Sequence, residues 1–232
     1  MKYNFDEIID RENTASVKFD LREKVFGKEN VIPVWVADMD FQTPDFIINA
    51  LKKRLEHPIL GYSFRPDTYY QSIIDWVKRR HNWEINKDWI SFSPGIVPAI
   101  NMAIMAFTQP GDKIIVQPPV YHPFFSAIKN NHRIQVENPL VLKNGRYQIN
   151  FDDLKTKIKD AKMILLSNPH NPGGSVWTKE ELQKLGEICT ENDVLIMADE
   201  IHADLVFKPH KFTPVASISP EIKKNTVTFI AP

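Results

Sequence analysis

The feature that most constrains this chain is a set of short apolar segments without alternation. Met163-Ile164-Leu165-Leu166 and Val194-Leu195-Ile196-Met197-Ala198 are apolar at every position. A strand with one wet face alternates polar and apolar residues, so an unbroken apolar run must be covered on both faces. Lys113-Ile114-Ile115-Val116, the segment 133–136 and the segment 226–230 are further strand candidates, and a short strand is expected at Trp89-Ile90-Ser91-Phe92. Between these runs the apolar period becomes that of a helix. Phe46, Ile47, Ala50, Leu51 and Leu55 share one helical face, as do Tyr70, Ile73, Ile74 and Val77 within a helix over 67–81. Helices are also expected from Pro94-Gly95 through Met105, over 122–130, over 151–159 and over 178–191. The last opens with Thr178-Lys179-Glu180-Glu181, a capping-box pattern.

Doubly buried strands alternating with helices specify an α/β protein, a three-layer αβα arrangement around a mainly parallel sheet. The first 45 residues differ. Val31–Val36 is apolar and then breaks into Ala37-Asp38-Met39-Asp40-Phe41. We read 1–45 as an N-terminal arm with a segment of a smaller domain, and 46–232 as the large domain. No Gly/Ser linker divides the chain after residue 45.

Composition narrows the function classes. The chain carries 29 Lys+Arg against 29 Asp+Glu, so it has no electrostatic footprint for nucleic acid or an anionic membrane. Its one cysteine, Cys189, falls on the apolar side of a helix and cannot build a disulfide framework or a cysteine zinc site. His202 and Asp204 lack a second His or Cys cluster at ligand spacing, so no metal is expected. The start, MKYNFDEIID, is acidic and has no apolar h-region, which gives the expectation of no signal peptide and a cytoplasmic location. The longest nearly apolar stretch, Ile96–Phe107, contains Asn101 and is too short to span a bilayer. Lys52-Lys53-Arg54 and Lys78-Arg79-Arg80 read as solvated helix faces.

In open parallel sheets ligands bind beyond the carboxyl ends of the strands. Four such places are polar and punctuated by Pro or Gly: Ser93–Val97, Gln117–Pro123, Ser167–Gly174 and Asp199–Asp204. At Ser93-Pro94-Gly95-Ile96-Val97 the backbone N–H groups of a helix start could cradle a phosphate, or the segment is a plain turn into a helix. Asp199 closes an apolar strand, where a carboxylate could hold a cationic ring nitrogen or simply serve as an N-cap for the next segment. Asn171, stiffened by Pro169 and Pro172, is either a fixed amide donor or a solvated turn residue. Tyr121, after Pro118-Pro119, can stack on a planar ligand or pack as an ordinary surface ring. Tyr62 sits in a loop and has no role on these grounds alone.

Together these segments carry a resemblance. SNPHNPGG, a helix, a strand and then ADEIHADL resemble pyridoxal 5′-phosphate (PLP) enzymes of fold type I, the aminotransferase class I/II superfamily. PVWVADMDF, the GYS at 61–63, SPGIVPAI and PPVYHPFF make the chain similar to the cystathionine β-lyase group of the MalY/PatB type. The resemblance runs from Val34 to Pro232. It implies a PLP-dependent transferase-like large domain in which Asp199 keeps the pyridine nitrogen protonated, Asn171 bonds the ring 3′-oxygen and Tyr121 stacks on the ring. It implies that Gly95, Ile96 and Val97 offer N–H groups to the phosphate, and that Tyr62 reaches the phosphate of a partner subunit in a homodimer. Trp35, Ala37 and Asp38 would border the substrate entrance. His202 stands where many aminotransferases have a tyrosine, which favours the lyase branch. The Schiff-base lysine is expected just after Pro232, so no covalent catalytic residue falls within the sequence, and the C-terminal small domain is expected beyond it. The implied substrate is a sulfur amino acid; the alternatives are a PLP-dependent aminotransferase and a non-catalytic fragment or regulatory paralogue.

Overall fold

The computed structural model describes residues 3–231 and forms two compact units, Met1–Phe64 and Arg65–Pro232. The first unit ends at Phe64. The helix observed at Asp45–Leu55 therefore lies in the first unit, and none of its residues is buried.

The first unit is organised by charge. Lys18, on the short helix Val17–Asp20, is buried, and its ammonium donates to Asp40 Oδ2 at 2.7 Å and to the Asp38 carbonyl at 2.9 Å. Arg11 pairs with both Asp38 and Asp40. The Trp35 indole N–H donates to the Lys18 carbonyl at 3.1 Å. Lys18, foremost, and then Arg11 hold the Asp40 carboxyl below its usual range.

The second unit is built on a five-stranded sheet. Its strands are β1 (Lys113–Val116), β2 (Ile134–Glu137), β5 (Ala161–Ser167), β6 (Leu195–Asp199) and β7 (Thr226–Phe229), in the order β2-β1-β5-β6-β7. Every pairing is parallel. Successive side chains leave a strand on opposite faces, and the core follows that rule. Ile115, Ile164, Leu166, Ile196 and Ala198 pack with Leu154, Leu182, Leu185 and Ile222, from helices 151–157, 179–191 and 220–224. Ile114, Val116, Met163, Leu165, Met197 and Phe229 pack on the other side with Ile100, Ile104, Phe124 and Ile128, from helices 96–107 and 123–130. The expected three-layer αβα arrangement is therefore present. Cys189 is buried in the first of these cores, where burial pushes its thiol up to about 12.

Two local readings differ. No strand forms at 89–92; instead a 3₁₀ turn spans Lys87–Trp89, begun by Asn86 Oδ1 accepting the Asp88 N–H at 3.1 Å. A strand needs a partner for its ladder, and the two sheet edges are β2 and β7. A hairpin not expected from periodicity joins β3 (Val141–Lys143) to β4 (Arg146–Gln148). Its signal is Asn144-Gly145, both with positive φ (53° and 76°), the dipeptide of a tight hairpin turn.

The capping box at Thr178 forms as expected, and Glu181 also takes both guanidinium nitrogens of Arg146 at 2.7 and 2.6 Å. Gly186, on the same helix, leaves no room for a side chain. A Cβ there would lie 2.4 Å from Ile222 Cδ1 and 2.7 Å from its Cγ1. Gly186→Ala should therefore destabilise the protein by about 1–3 kcal/mol through overpacking, although helix propensity alone favours Ala by about 1 kcal/mol. Thermal denaturation distinguishes the two: a raised melting temperature would contradict the packing account.

Candidate active site

The order of the strands locates the crevice. The chain goes outward from β1 to β2, then returns to the other side of β1 to lay down β5, β6 and β7. The topological switch point thus lies between β1 and β5, where the loops leaving their carboxyl ends part to opposite sides. Those loops are the polar segments 117–122 and 168–174. They are fastened to each other across the crevice: the Tyr121 N–H donates to the Asn171 carbonyl at 3.0 Å, and His170 Nε2 lies 2.7 Å from the Pro119 carbonyl. A carbonyl only accepts, so Nε2 carries the hydrogen. The Asn171 N–H donates to Ser167 Oγ at 3.0 Å, and the Asn171 amide nitrogen lies 3.4 Å from His202 Nε2. Tyr121 and Asn171 are half-buried, presenting side chains from a fixed backbone.

Asp199 ends β6 next to this crevice, in register with Ser167 on β5. It is 6% exposed, and among the described residues its carboxylate accepts one hydrogen bond, from the Ile201 N–H at 3.3 Å, and has no cationic partner. Burial pushes its carboxyl up to about 6. Glu200 behind it is fully buried. Its Oε1 accepts from the Val215 N–H at 2.9 Å and the Asn168 side-chain amide at 3.1 Å, while Oε2 has no partner among the described residues. Burial, opposed by these bonds, pushes Glu200 up to about 8. Asn168 also donates its backbone N–H to the Asp199 carbonyl at 2.9 Å, so β5 and β6 are locked together just where they end. A cavity of about 30 Å³, lined by Glu200, Trp83, His81 and Phe212 among others, is large enough for water and too small for a substrate.

Helix 96–107 runs into the 108–112 turn and then β1, so its amino terminus points back toward the carboxyl edge of the sheet. Gly95 caps it, and Pro98 occupies its first turn. Among the described residues, the N–H groups of Gly95, Ile96 and Val97 meet no acceptor, while the Ala99 N–H begins the helical ladder on the Gly95 carbonyl at 3.0 Å. No acidic side chain lies in that turn. Unpaired N–H groups and the positive end of the helix dipole suit an anion.

The structure thus brings Tyr121, Asn171, His202 and Asp199 to adjoining loops at one sheet edge, and places Gly95, Ile96 and Val97 on a helix end directed toward it. Tyr62, Trp35, Ala37 and Asp38 belong to the first unit. There Tyr62 is fully exposed, Trp35 is held by its indole N–H, and the Asp38 carboxylate is paired with Arg11. The site also contains residues that sequence reasoning passed over: Ser167, Asn168, His170 and Glu200. All lie inside two of the polar segments that leave the strands, but only their hydrogen bonds show what they do. Chemically, the arrangement offers unpaired N–H groups that suit an anion, a buried carboxylate that suits a cation, and an amide donor. Among the described residues no three His, Cys, Asp or Glu side chains group as metal ligands, and no helix is long and apolar enough to cross a membrane.

Comparison with known families decides the lineage. The family model described as aminotransferase class I and II matches residues 29–231. The chain belongs to that family. Within the aminotransferase class I and II family, it is 47% identical over 231 residues to cystathionine β-lyase PatB of Bacillus subtilis (strain 168), covering 99% of this chain and 60% of that protein. Cystalysin from Treponema denticola, whose structure contains pyridoxal 5′-phosphate, superposes with a TM-score of 0.95 at 42% identity, covering 100% of this chain and 60% of that one. A PLP-bound protein from Clostridium difficile 630, provisionally designated an aminotransferase, superposes with a TM-score of 0.97 at 51% identity, with the same coverage of 100% and 60%. The chain therefore spans 60% of the length of these relatives.

Burial of Asp199 has a measurable consequence. Its pKa rises from 3.8 to about 6, so the folded protein binds that proton more tightly than the unfolded chain does. The group favours folding below about pH 4 and loses that contribution as pH rises through about 6. Without cofactor, Asp199→Asn should be more stable than the wild type at pH 8, by on the order of 1–3 kcal/mol, with the difference closing by about pH 4. Melting temperatures at the two pH values test this; an equal gap at both would contradict it.

Proposed function

We propose that the protein is a PLP-dependent carbon–sulfur β-lyase, cleaving cystathionine or a related cysteine thioether, with water, to a thiol, pyruvate and ammonia. The observation that carries the cofactor is Asp199, a buried carboxylate at the end of β6 with no cationic partner among the described residues. Such a group is costly unless a bound cation compensates it. The residues present fit the cofactor: the free N–H groups at 95–97 suit its phosphate, and the Asn171 amide and the Tyr121 ring flank the switch-point crevice. The lyase assignment is supported by the similarity to PatB and cystalysin.

When bound, PLP supplies an electron sink that stabilises charge developing at the substrate Cα and allows a group on Cβ to depart. The chain's own residues make that sink effective. Asp199 would hold a proton at the pyridine nitrogen, and that cation would in turn favour the ionised form of the carboxyl that burial raises. The N–H groups of Gly95, Ile96 and Val97 would hold the phosphate. The Asn171 amide, with His202 Nε2 3.4 Å from its nitrogen, would donate to the ring 3′-oxygen. Tyr121 would stack on the ring and exclude water. Tyr62, fully exposed in this chain, would serve the phosphate of a second copy in a homodimer. Trp35, Ala37 and Asp38 would border the substrate entrance; Arg11 pairs with the Asp38 carboxylate and Lys18 donates to the Asp38 carbonyl. A cytoplasmic location accords with free access to amino-acid substrates.

The full-length protein loaded with PLP and given cystathionine should release thiol, pyruvate and ammonia in equal amounts. Bound cofactor with no pyruvate or thiol above background would overturn the lyase reading. The family's own description, and the provisional designation of the C. difficile protein, favour a second reading as an aminotransferase. An amino donor would then convert the bound cofactor stoichiometrically to its pyridoxamine form, read by absorbance, without pyruvate release.

A further inference from the structure

His170 takes no part in the chemistry above, yet it is 3% exposed and its imidazole spans the switch-point crevice. We propose that His170 is a positioning residue for cofactor binding: its Nε2–H bond to the Pro119 carbonyl fixes the loop carrying Tyr121 against the loop carrying Asn171. The proposal rests on the PLP reading and adds to it the part that sets the spacing between the stacking ring and the amide donor.

The geometry leaves the imidazole one placement. Its Nε2 meets the Pro119 carbonyl at 2.7 Å, two residues before Tyr121. Its backbone N–H donates to the Ser175 carbonyl, and its own carbonyl accepts the Gly174 N–H, both at 2.8 Å. The ring lies against Trp177, centroids 5.4 Å apart, and the Trp177 indole N–H donates to the Ser167 carbonyl at 2.9 Å. Gly173 makes space for it: a Cβ there would stand 2.8 Å from His170 Cδ2 and 2.7 Å from Tyr147 Cδ2. The hairpin β3–β4 closes the far side, its Tyr147 carbonyl accepting from Ser175 Oγ at 3.0 Å.

The second ring nitrogen separates this role from ordinary packing. Nδ1 is buried with no hydrogen-bond partner among the described residues. An apolar side chain of similar size would fill the same space without that unpaired atom. What the imidazole supplies that such a side chain cannot is the Nε2–H donor to Pro119. Burial holds its pKa below the usual histidine value, in keeping with a neutral ring. Of the two bonds across the crevice, Tyr121 N–H to Asn171 and His170 to Pro119, only the second depends on a side chain and so can be removed by substitution.

The test compares full-length wild type, His170→Leu, His170→Asn and His170→Gln. Leu fills space without a donor, Asn is polar but too short to reach Pro119, and Gln can place an N–H near that carbonyl. Each is titrated with PLP, and the visible circular dichroism of the bound cofactor and the melting temperature without cofactor are recorded. Wild type should bind PLP; Leu and Asn should bind about tenfold more weakly or worse with a reduced dichroic band, and Gln should recover most of both. Leu or Asn variants that bind PLP like wild type, with the same dichroic band, would overturn the proposal. So would a Gln variant no better than Asn while both fold with the wild-type melting temperature. Wild type that takes up no PLP would overturn the cofactor reading itself, and this proposal with it. The ring ¹⁵N shifts of His170 in the cofactor-free protein check the Nε2–H tautomer independently; a protonated Nδ1 would contradict it.

Discussion

The structure depends on one constraint: the central strands β1, β5 and β6 are covered on both faces, with Lys162 at the start of β5 their one exposed side chain. Ile114 and Ile115 are adjacent in sequence and wholly buried, one in each of the two cores. A polar side chain inside these strands would be desolvated without a partner. The first places where chemistry can appear are therefore the residues just past each ladder. Because every strand of the five-stranded sheet runs the same way, those residues share one edge of it. The crevice between β1 and β5 is then a consequence of strand order, not of any single motif.

At that edge the backbone leaves its regular hydrogen bonds, and side chains replace them. Ser167, Asn168 and Glu200 tie β5, β6 and the 213–215 segment into one network, and His170 joins the two crevice loops. The network contains two adjacent carboxyl groups, Asp199 and Glu200, both raised by burial. Such groups weaken the folded state at neutral pH unless something binds them. Glu200 is answered in part by its two N–H donors. Among the described residues the Asp199 carboxylate accepts a single bond, from Ile201, and that difference leaves it the less compensated member of the pair.

Much of this was legible beforehand because the patterns concerned are local. The helix at 179–191 announced itself through Thr178 and Glu181, three residues apart, and the doubly buried strands through their lack of alternation. The hairpin at 141–148 had a local signal too, Asn144-Gly145, but its strands are exposed or half-buried and too short to show a period. Trp89–Phe92 had the composition of a strand and no neighbour to pair with. The helix at 45–55 had an amphipathic stripe, which says that an apolar face exists and not what it packs against.

The sequence by itself determined the class of fold, the edge at which chemistry must lie and the residue types gathered there, because burial of a strand and capping of a helix are decided within a few residues. Only the tertiary structure decided that β1 and β5 are neighbours, that Tyr121 and Asn171 share a hydrogen bond, that Glu200 is buried behind Asp199, and that His170 reaches Pro119. Those relations join residues up to 51 positions apart. Their energies depend on desolvation and on distances of a few tenths of an ångström, which no local pattern encodes.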